Sequence, residues 1–206
     1  MEKVNKDWTG NSNSIWKTLG ASNHTEKDRQ NEDYYATVPQ AAEMLLEIED
    51  IDKSKPIWEC ASGEGHLSNV FKEHGYKVRT SDIVKRTETT EVLDFLSDDI
   101  TDWDGNIITN PPYKFAVQFI EKAMNILHEG NKCIMFLKLQ FMEGKSRRKL
   151  FEKYPPKTIW VSSSRIMCAK NGDFYEMIKG GGSAVAYAFY VWEKGYKGDT
   201  ILKWFN

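Results

Sequence analysis

A glycine-containing turn between two apolar segments limits most strongly how this chain can fold. The segment "KPIWECAS" (residues 55–62) is short and apolar, which is typical of a buried strand. A helical pattern follows Gly63 and closes at Gly75, and "YKVRTSDI" (residues 76–83) indicates the next strand. Because a strand, a helix and a second strand in this order form a right-handed crossover between parallel strands, the sequence predicts a doubly wound α/β sheet.

The rest of the chain continues this alternation of strands and helices. An amphipathic helix is predicted after Pro39, and further helices are predicted over residues 113–128 and 146–154. Strands are predicted in five more segments: 92–96, 105–110, 132–139, 157–166 and 183–194. Together these elements predict a seven-stranded, mostly parallel sheet with helices on both faces. The glycine-rich segment 167–182 is predicted to be an irregular, functional loop.

The length of 206 residues suits one α/β domain. Residues 1–30 are rich in Asn, Ser and Thr and are predicted to form an N-terminal arm, which leaves residues 31–206 as the domain. No run of about 20 apolar residues occurs, and the start "MEKVNKDWTGNSNS" lacks the apolar core of a signal peptide. We therefore expect a cytoplasmic protein with no membrane partner.

Cysteine spacing and net charge argue against two kinds of protein. The chain has three cysteines, Cys60, Cys133 and Cys168. Three is an odd number, and the cysteines lie far apart and form no Cys-x-x-Cys pair, so we predict reduced thiols and no metal site. The net charge of −2 gives no general basic field of the kind that many nucleic-acid-binding proteins have. Basic residues are nevertheless concentrated over 138–157, and acidic residues over 84–104.

The turn "ECASGEGH" has the composition of a ligand-binding loop. Glycine lets the backbone approach a ligand closely, and the following helix N-terminus adds N–H donors. The turn lacks the Gly-x-Gly-x-x-Gly pattern, which argues against a nicotinamide dehydrogenase. Asp82 follows Gly63 by about 20 residues, the offset of an acidic residue that binds ribose hydroxyls. These features predict a nucleoside-bearing cofactor; the alternatives are an ordinary tight turn and an Asp82 that caps the next turn.

The segment "ITNPPYKF" (residues 107–114) forms a second predicted corner. Proline cannot donate to a β-ladder, so Pro111 and Pro112 must end the strand before them. Open parallel sheets bind ligands at the carboxyl ends of their strands. This corner is therefore predicted to face the cofactor crevice.

The residues of this corner are suited to act on an amine. The side-chain carbonyl of Asn110 and the main-chain carbonyl of Pro111 can accept hydrogen bonds from a planar NH₂ group and favour its pyramidal form in the transition state. The ring of Tyr113 offers a face on which a planar base can stack. The alternative is a simple turn after a strand, with Tyr113 in the core.

With these motifs the chain resembles S-adenosylmethionine-dependent amino methyltransferases, and most closely the small phage and prophage-type DNA adenine-N6 methyltransferases. The resemblance runs from about Asn31 to the C-terminus and rests on the Asn-Pro-Pro-Tyr corner, the "ECASGEG" loop and the segment "YYATVP". It implies a Rossmann-like class I methyltransferase domain over residues 31–206 that binds S-adenosylmethionine. It also implies methyl transfer to the N6 amine of an adenine in DNA, flipped out of the duplex.

The same resemblance assigns roles to residues of this chain. The catalytic residues would be Asn110, Pro111, Pro112 and Tyr113. The cofactor-binding residues would be Tyr35, Thr37, Glu59, Ala61, Gly63, Gly65, Asp82, Asp94, Phe95 and Asn110. Asp82 would bind the ribose, and Asp94 with Phe95 would contact the cofactor adenine. Tyr35 and Thr37 would help to hold the methionine end.

The sequence departs from the family in two places, of which the second bears on substrate recognition. The loop reads Cys-Ala-Ser at residues 60–62 where Pro-Ala-Cys or a similar run is common, and a large target-recognition domain is missing. Because that domain is missing, recognition of the target is expected from the segment 167–182, the basic stretch around Lys145–Lys149 or the N-terminal arm. The residues predicted to contact nucleic acid are Lys145, Arg147, Arg148 and Lys170. A solvated helix face is the alternative interpretation of Arg147 and Arg148.

The sequence leaves other substrates and one other class of protein open. The target could be an RNA adenine, a cytosine N4 amine, or the side-chain amide of a glutamine in a protein release factor, because each presents a planar NH₂ group. A protein that binds cofactor and nucleic acid without catalysing a reaction is the alternative of another class. The target sequence and the oligomeric state are also left open.

Overall fold

A computed structural model describes residues 35–170, 174–175 and 185–206, with the side chains of Tyr35 and Lys170 left out. The predicted N-terminal arm, residues 1–30, and most of the segment 171–184 lie outside the described residues. No helix in the described part of the chain is long and apolar enough to cross a membrane.

Strands and helices alternate along most of the described chain. The helices are α1 (Gln40–Ile48), α2 (His66–Glu73), α3 (Ala116–Ile126) and α4 (Lys145–Lys153). The strands are β1 (Tyr35–Thr37), β2 (Ile57–Glu59), β3 (Val78–Asp82), β4 (Glu91–Val92), β5 (Asn106–Thr109), β6 (Lys132–Lys138), β7 (Thr158–Ser162), β8 (Cys168–Lys170), β9 (Tyr187–Glu193) and β10 (Ile201–Phe205). Short 3₁₀ helices span Tyr113–Phe115 and Leu139–Met142.

Eight of the described strands form one mixed sheet. Their order is β10-β7-β9-β6-β5-β2-β3-β4, and every neighbouring pair is parallel except those that β9 makes with β6 and β7. The predicted α/β fold with a mostly parallel sheet is confirmed, but the sheet has eight strands instead of seven. The additional strand is β10, an edge strand whose Ile201, Leu202 and Trp204 are exposed.

Helices cover the sheet on both faces, as predicted. One core cluster contains residues of α3 and α4, such as Ile120 and Leu150, and the other contains residues of α1 and α2, such as Leu45 and Phe71. Strand β5 is buried along its whole length because it is covered from both sides. Because both faces of the sheet are covered, a ligand is expected at the carboxyl ends of the parallel strands.

A separate pair of antiparallel strands lies outside the main sheet. Strand β1 pairs with β8, so that Thr37 is opposite Cys168. The segment 167–182 was expected to be irregular, but it begins with β8, because an extended strand is available to pair with it. This pairing brings two parts of the chain that are far apart in sequence to the same place.

Candidate active site

The two predicted corners lie side by side at the carboxyl edge of the sheet. Strand β2 is hydrogen-bonded to β3 on one side and to β5 on the other, and all three run in the same direction. The turn that follows β2 and the corner that follows β5 therefore leave the sheet at adjacent positions. The two predicted motifs are therefore neighbours at this edge of the sheet.

The glycine turn has a backbone conformation that only glycine adopts readily. Gly63 has φ of 54° and Gly65 has φ of 82°. A Cβ atom on Gly65 would lie 3.1 Å from the side-chain oxygen of Ser68. The N-terminus of α2 follows directly, and the first turn of a helix leaves N–H groups that can donate to a ligand.

Asp82 braces this turn from the neighbouring strand. Its Oδ2 accepts a hydrogen bond from the Gly63 N–H at 2.8 Å, and its Oδ1 accepts one from the Val84 N–H at 3.0 Å. The second bond is the turn-capping alternative that the sequence left open. Ile83, the next residue, is 69% exposed and provides an apolar surface beside the carboxylate.

Glu59 supports the turn from inside the protein. It is 2% exposed, and its Oε2 accepts a hydrogen bond from the Ser68 N–H of α2 at 2.9 Å. Burial raises the pKa of this carboxyl to about 8. Glu59 therefore holds a proton at neutral pH and fixes the start of α2, whereas a direct contact with a cofactor stays a prediction.

Asp94 and Phe95 have different environments although they are adjacent. Asp94 is exposed, and its Oδ1 accepts a hydrogen bond from the Leu96 N–H at 2.9 Å. The Phe95 ring is buried, with ring centroids 5.3 Å from Trp58 and 5.0 Å from Phe119. Because this ring packs in the core, a contact of Phe95 with a cofactor adenine has to come from its main chain.

The Asn-Pro-Pro-Tyr corner ends β5 as predicted. Pro111 is buried, Pro112 has φ of −56° and ψ of 121°, and Tyr113 begins a 3₁₀ turn. The Phe115 N–H donates to the Pro112 carbonyl at 2.8 Å, which closes this turn. The two prolines thus hold the preceding Asn110 at the edge of the sheet.

Asn110 contacts residues of the β1–β8 pair. Its Nδ2 donates to Thr37 Oγ1 at 2.9 Å and to Cys168 Sγ at 3.4 Å. The predicted catalytic corner and the predicted N-terminal motif are therefore in direct contact. The side chain of Tyr35, the other residue predicted from that motif, lies outside the described part of the chain.

Tyr113 is half-buried and packs against both core clusters. Its hydroxyl lies 3.6 Å from Cys168 Sγ, and the Lys138 ammonium lies 4.7 Å from its ring centroid. Burial raises the pKa of the phenol well above its usual range, so it stays neutral. The core-packing alternative for Tyr113 therefore holds in part, and base stacking on its ring stays a prediction.

Comparisons with known proteins identify the fold of this chain. No family model matches the sequence, and no curated protein matches it. Among the solved structures that match, a proposed class I S-adenosylmethionine-dependent methyltransferase from Listeria monocytogenes has a TM-score of 0.54 at 14% identity, over 80% of this chain and 62% of its own. The fold is that of a class I S-adenosylmethionine-dependent methyltransferase.

Two other solved structures show how varied the proteins with this methyltransferase fold are. A modification subunit of a proposed type I restriction enzyme from Vibrio vulnificus has a TM-score of 0.55 at 14% identity, over 84% of this chain and 47% of its own. A proposed RNA methyltransferase from Pyrococcus horikoshii has a TM-score of 0.52 at 15% identity, over 75% of this chain and 81% of its own. At such identities the likeness concerns the fold alone.

The glycine turn of this methyltransferase fold has groups that suit a nucleoside cofactor with a polar tail. The hydroxyl of Ser62, within the turn, is buried without a hydrogen-bond partner among the described residues. Such a hydroxyl costs free energy until it is paired, so it suits a ligand that brings polar atoms to the turn. Ala61 is half-buried beside it. Within the described ranges no group of three or more His, Cys, Asp or Glu side chains could hold a metal ion.

The predicted nucleic-acid contacts differ in how available they are. Lys145 is exposed at the start of α4, and the exposed Arg148 makes a 2.7 Å ion pair with Glu152. Arg147 is half-buried: its guanidinium carbon lies 5.1 Å from the Phe141 ring centroid, and its Nε donates to the Glu143 carbonyl at 2.6 Å. Its part in packing makes it the least available of the three on α4. The side chain of Lys170 lies outside the described residues.

Three residues at the site were not assigned from the sequence. Lys138 ends β6 and lies over the ring of Tyr113, and Cys168 contacts Asn110. The ring centroids of Phe174 and of His66, at the start of α2, are 5.7 Å apart. The position of Lys138 at the end of a predicted strand was a usable signal. No local pattern marks Cys168 or Phe174, and Cys168 reaches the site through the pairing of β8 with β1.

Proposed function

We propose that this protein transfers a methyl group from S-adenosylmethionine to the exocyclic N6 amine of adenine in DNA. The observation that carries this proposal is the contact between strands β2 and β5, which places the Asn-Pro-Pro-Tyr corner next to the glycine turn. One motif suits an amine and the other suits a nucleoside cofactor. In this proposal, the adenine amine and S-adenosylmethionine meet at one edge of the sheet.

The residues of the corner act by holding the amine in its reactive form. The lone pair of an adenine amine is delocalised into the ring, so two preorganised acceptors, the Asn110 side-chain carbonyl and the Pro111 carbonyl, favour the pyramidal nitrogen. When bound, S-adenosylmethionine supplies an electrophilic methyl group on a sulfonium that leaves as a thioether. The nitrogen becomes strongly acidic as the N–C bond forms, so Asn110 need not act as a base and the proton passes to water.

Charge around the corner supports a polyanionic substrate over a protein side chain. Lys138 lies at the corner itself, and Lys145 and Arg148 are exposed on α4. Cations of this kind contact phosphates and position a nucleic acid without reading its sequence. A base within a duplex has to be flipped out to reach the corner, which costs less in single-stranded or distorted DNA.

The identity of the product tests this proposal. The protein is incubated with S-adenosylmethionine carrying a labelled methyl group and unmethylated DNA, and the DNA is digested to nucleosides. We expect the label in N6-methyl-2′-deoxyadenosine. Label on cytosine, on RNA offered in parallel, or on a glutamine of an added release factor would show that the substrate is a different one from the one proposed. Cofactor binding without any methyl transfer would indicate a non-catalytic module.

A further inference from the structure

Asn110 is held by two side chains that come from outside its own strand. Its Nδ2 donates to Thr37 Oγ1 at 2.9 Å and to Cys168 Sγ at 3.4 Å. A side-chain amide nitrogen carries two hydrogens, so it can donate to both acceptors at the same time. Because the amide is planar, fixing the nitrogen also fixes the direction of the carbonyl oxygen at its other end.

The two acceptors are delivered together by the β1–β8 pair. Thr37 and Cys168 are directly opposite each other in its register, and each is only 3% exposed. Buried polar groups keep their hydrogen bonds because breaking them leaves the groups without water as a substitute. Burial also raises the pKa of the Cys168 thiol, which therefore remains neutral beside the amide.

We infer that Thr37, assisted by Cys168, is a positioning residue that turns the Asn110 carbonyl oxygen toward the substrate amine. This inference rests on the proposed function, because it is the amine that needs an acceptor. If the Thr37 acceptor is removed, the amide can turn by about 180° and present N–H donors to a substrate that is itself a donor. The resemblance assigned Thr37 to the methionine end of the cofactor, so the two roles differ in the step that they affect.

Substitution of Thr37 separates these roles. Thr37→Val keeps the shape of the side chain but removes its acceptor, and Thr37→Ser keeps the acceptor. We expect Thr37→Val to slow single-turnover methyl transfer by about tenfold or more while the cofactor dissociation constant, measured by calorimetry, changes by less than about twofold, because the loss is in the transition state. Thr37→Ser restores the rate to within about threefold. The buried Thr158 of β7 provides a matched control, and Thr158→Val keeps the wild-type rate.

A double-mutant cycle shows whether Thr37 acts through Asn110. In an Asn110→Ala background there is no amide left to orient, so Thr37→Val should cause no further loss of rate. An equal loss in both backgrounds, or weaker cofactor binding at an unchanged rate, overturns the inference.

A measurement without catalysis keeps this test separate from the test of the proposed function. The side-chain amide signal of Asn110 is identified in an NMR spectrum by its disappearance in Asn110→Ala. We expect its hydrogens to exchange with solvent at least about tenfold faster in Thr37→Val than in the wild type or in Thr37→Ser, since a hydrogen-bonded amide is protected. Equal exchange rates refute the positioning role whatever the activity. If the wild type methylates no substrate, the proposed function fails, and the exchange rates still decide how Asn110 is held.

Discussion

The buried carboxyl of Glu59 makes a specific contribution to the pH dependence of stability. Its pKa is raised from 4.5 to about 8 by burial, so between these values the folded state holds a proton that the unfolded state has lost. The stability from this group is complete below pH 4.5 and decreases as the pH rises toward 8. One pKa unit corresponds to about 1.4 kcal/mol, so the free energy of unfolding falls by about 1.4 kcal/mol per pH unit in this window.

Glu59→Gln removes this titration but keeps a carbonyl that can accept the Ser68 N–H. Urea unfolding of wild type and variant at pH 5.0, 6.0, 7.0 and 7.5 measures the difference. We expect the stability of Glu59→Gln relative to the wild type to increase on the order of 3 kcal/mol across this range. The exposed Glu47 of α1 provides the control, because Glu47→Gln should follow the wild-type curve. Parallel curves for Glu59→Gln and the wild type would refute the argument that the carboxyl is buried in its protonated form.

Three further variants, one of them a double substitution, test the turn and the basic surface. Asp82→Asn leaves one acceptor oxygen for two N–H groups, those of Gly63 and Val84. Calorimetry should therefore show about tenfold weaker S-adenosylmethionine binding. An unchanged affinity would contradict the role of Asp82 in bracing the turn. Gly65→Ala places a Cβ at φ of 82° and should lower the free energy of unfolding by about 1 kcal/mol or more in urea titrations, whereas an unaltered midpoint would count against it. Replacing Lys145 and Arg148 together by alanine should reduce by about two the number of counterions released on DNA binding, measured from the dependence of the affinity on salt concentration. Lys197→Ala, at an exposed position, is the control and should leave this number unchanged. If the double variant has the same salt dependence as the wild type, neither residue contacts a phosphate.

The fold could be predicted largely from local patterns. Apolar strands alternating with amphipathic helices define the parallel sheet, and the end of α2 was marked by Gly75, which has φ of 82° and follows the helix as expected. Strand β10 was missed because it is an exposed edge strand. Burial of one face is what produces an alternating apolar pattern, so an exposed strand lacks that pattern. Strand β8 was missed because β1, the strand with which it pairs in the described part of the chain, lies far away in the sequence.

The site was predictable to the extent that its chemistry is local. The glycine turn and the Asn-Pro-Pro-Tyr corner are continuous segments, and the parallel sheet brings them together. The bonds of Asn110 to Thr37 and Cys168 span 73 and 58 residues, so spacing gives no sign of them. The inward position of Glu59 depends on how α2 packs on the sheet, which a motif does not contain.

Whether the Asn-Pro-Pro-Tyr corner activates the amine is decided by the single-turnover rate of methyl transfer by Asn110→Ala, compared with the wild type at saturating cofactor. We expect a rate lower by about 10² to 10³, because one preorganised acceptor is lost, and an S-adenosylmethionine affinity within about twofold of the wild type. A wild-type rate in Asn110→Ala would contradict this expectation, since the amine would then be activated without the corner.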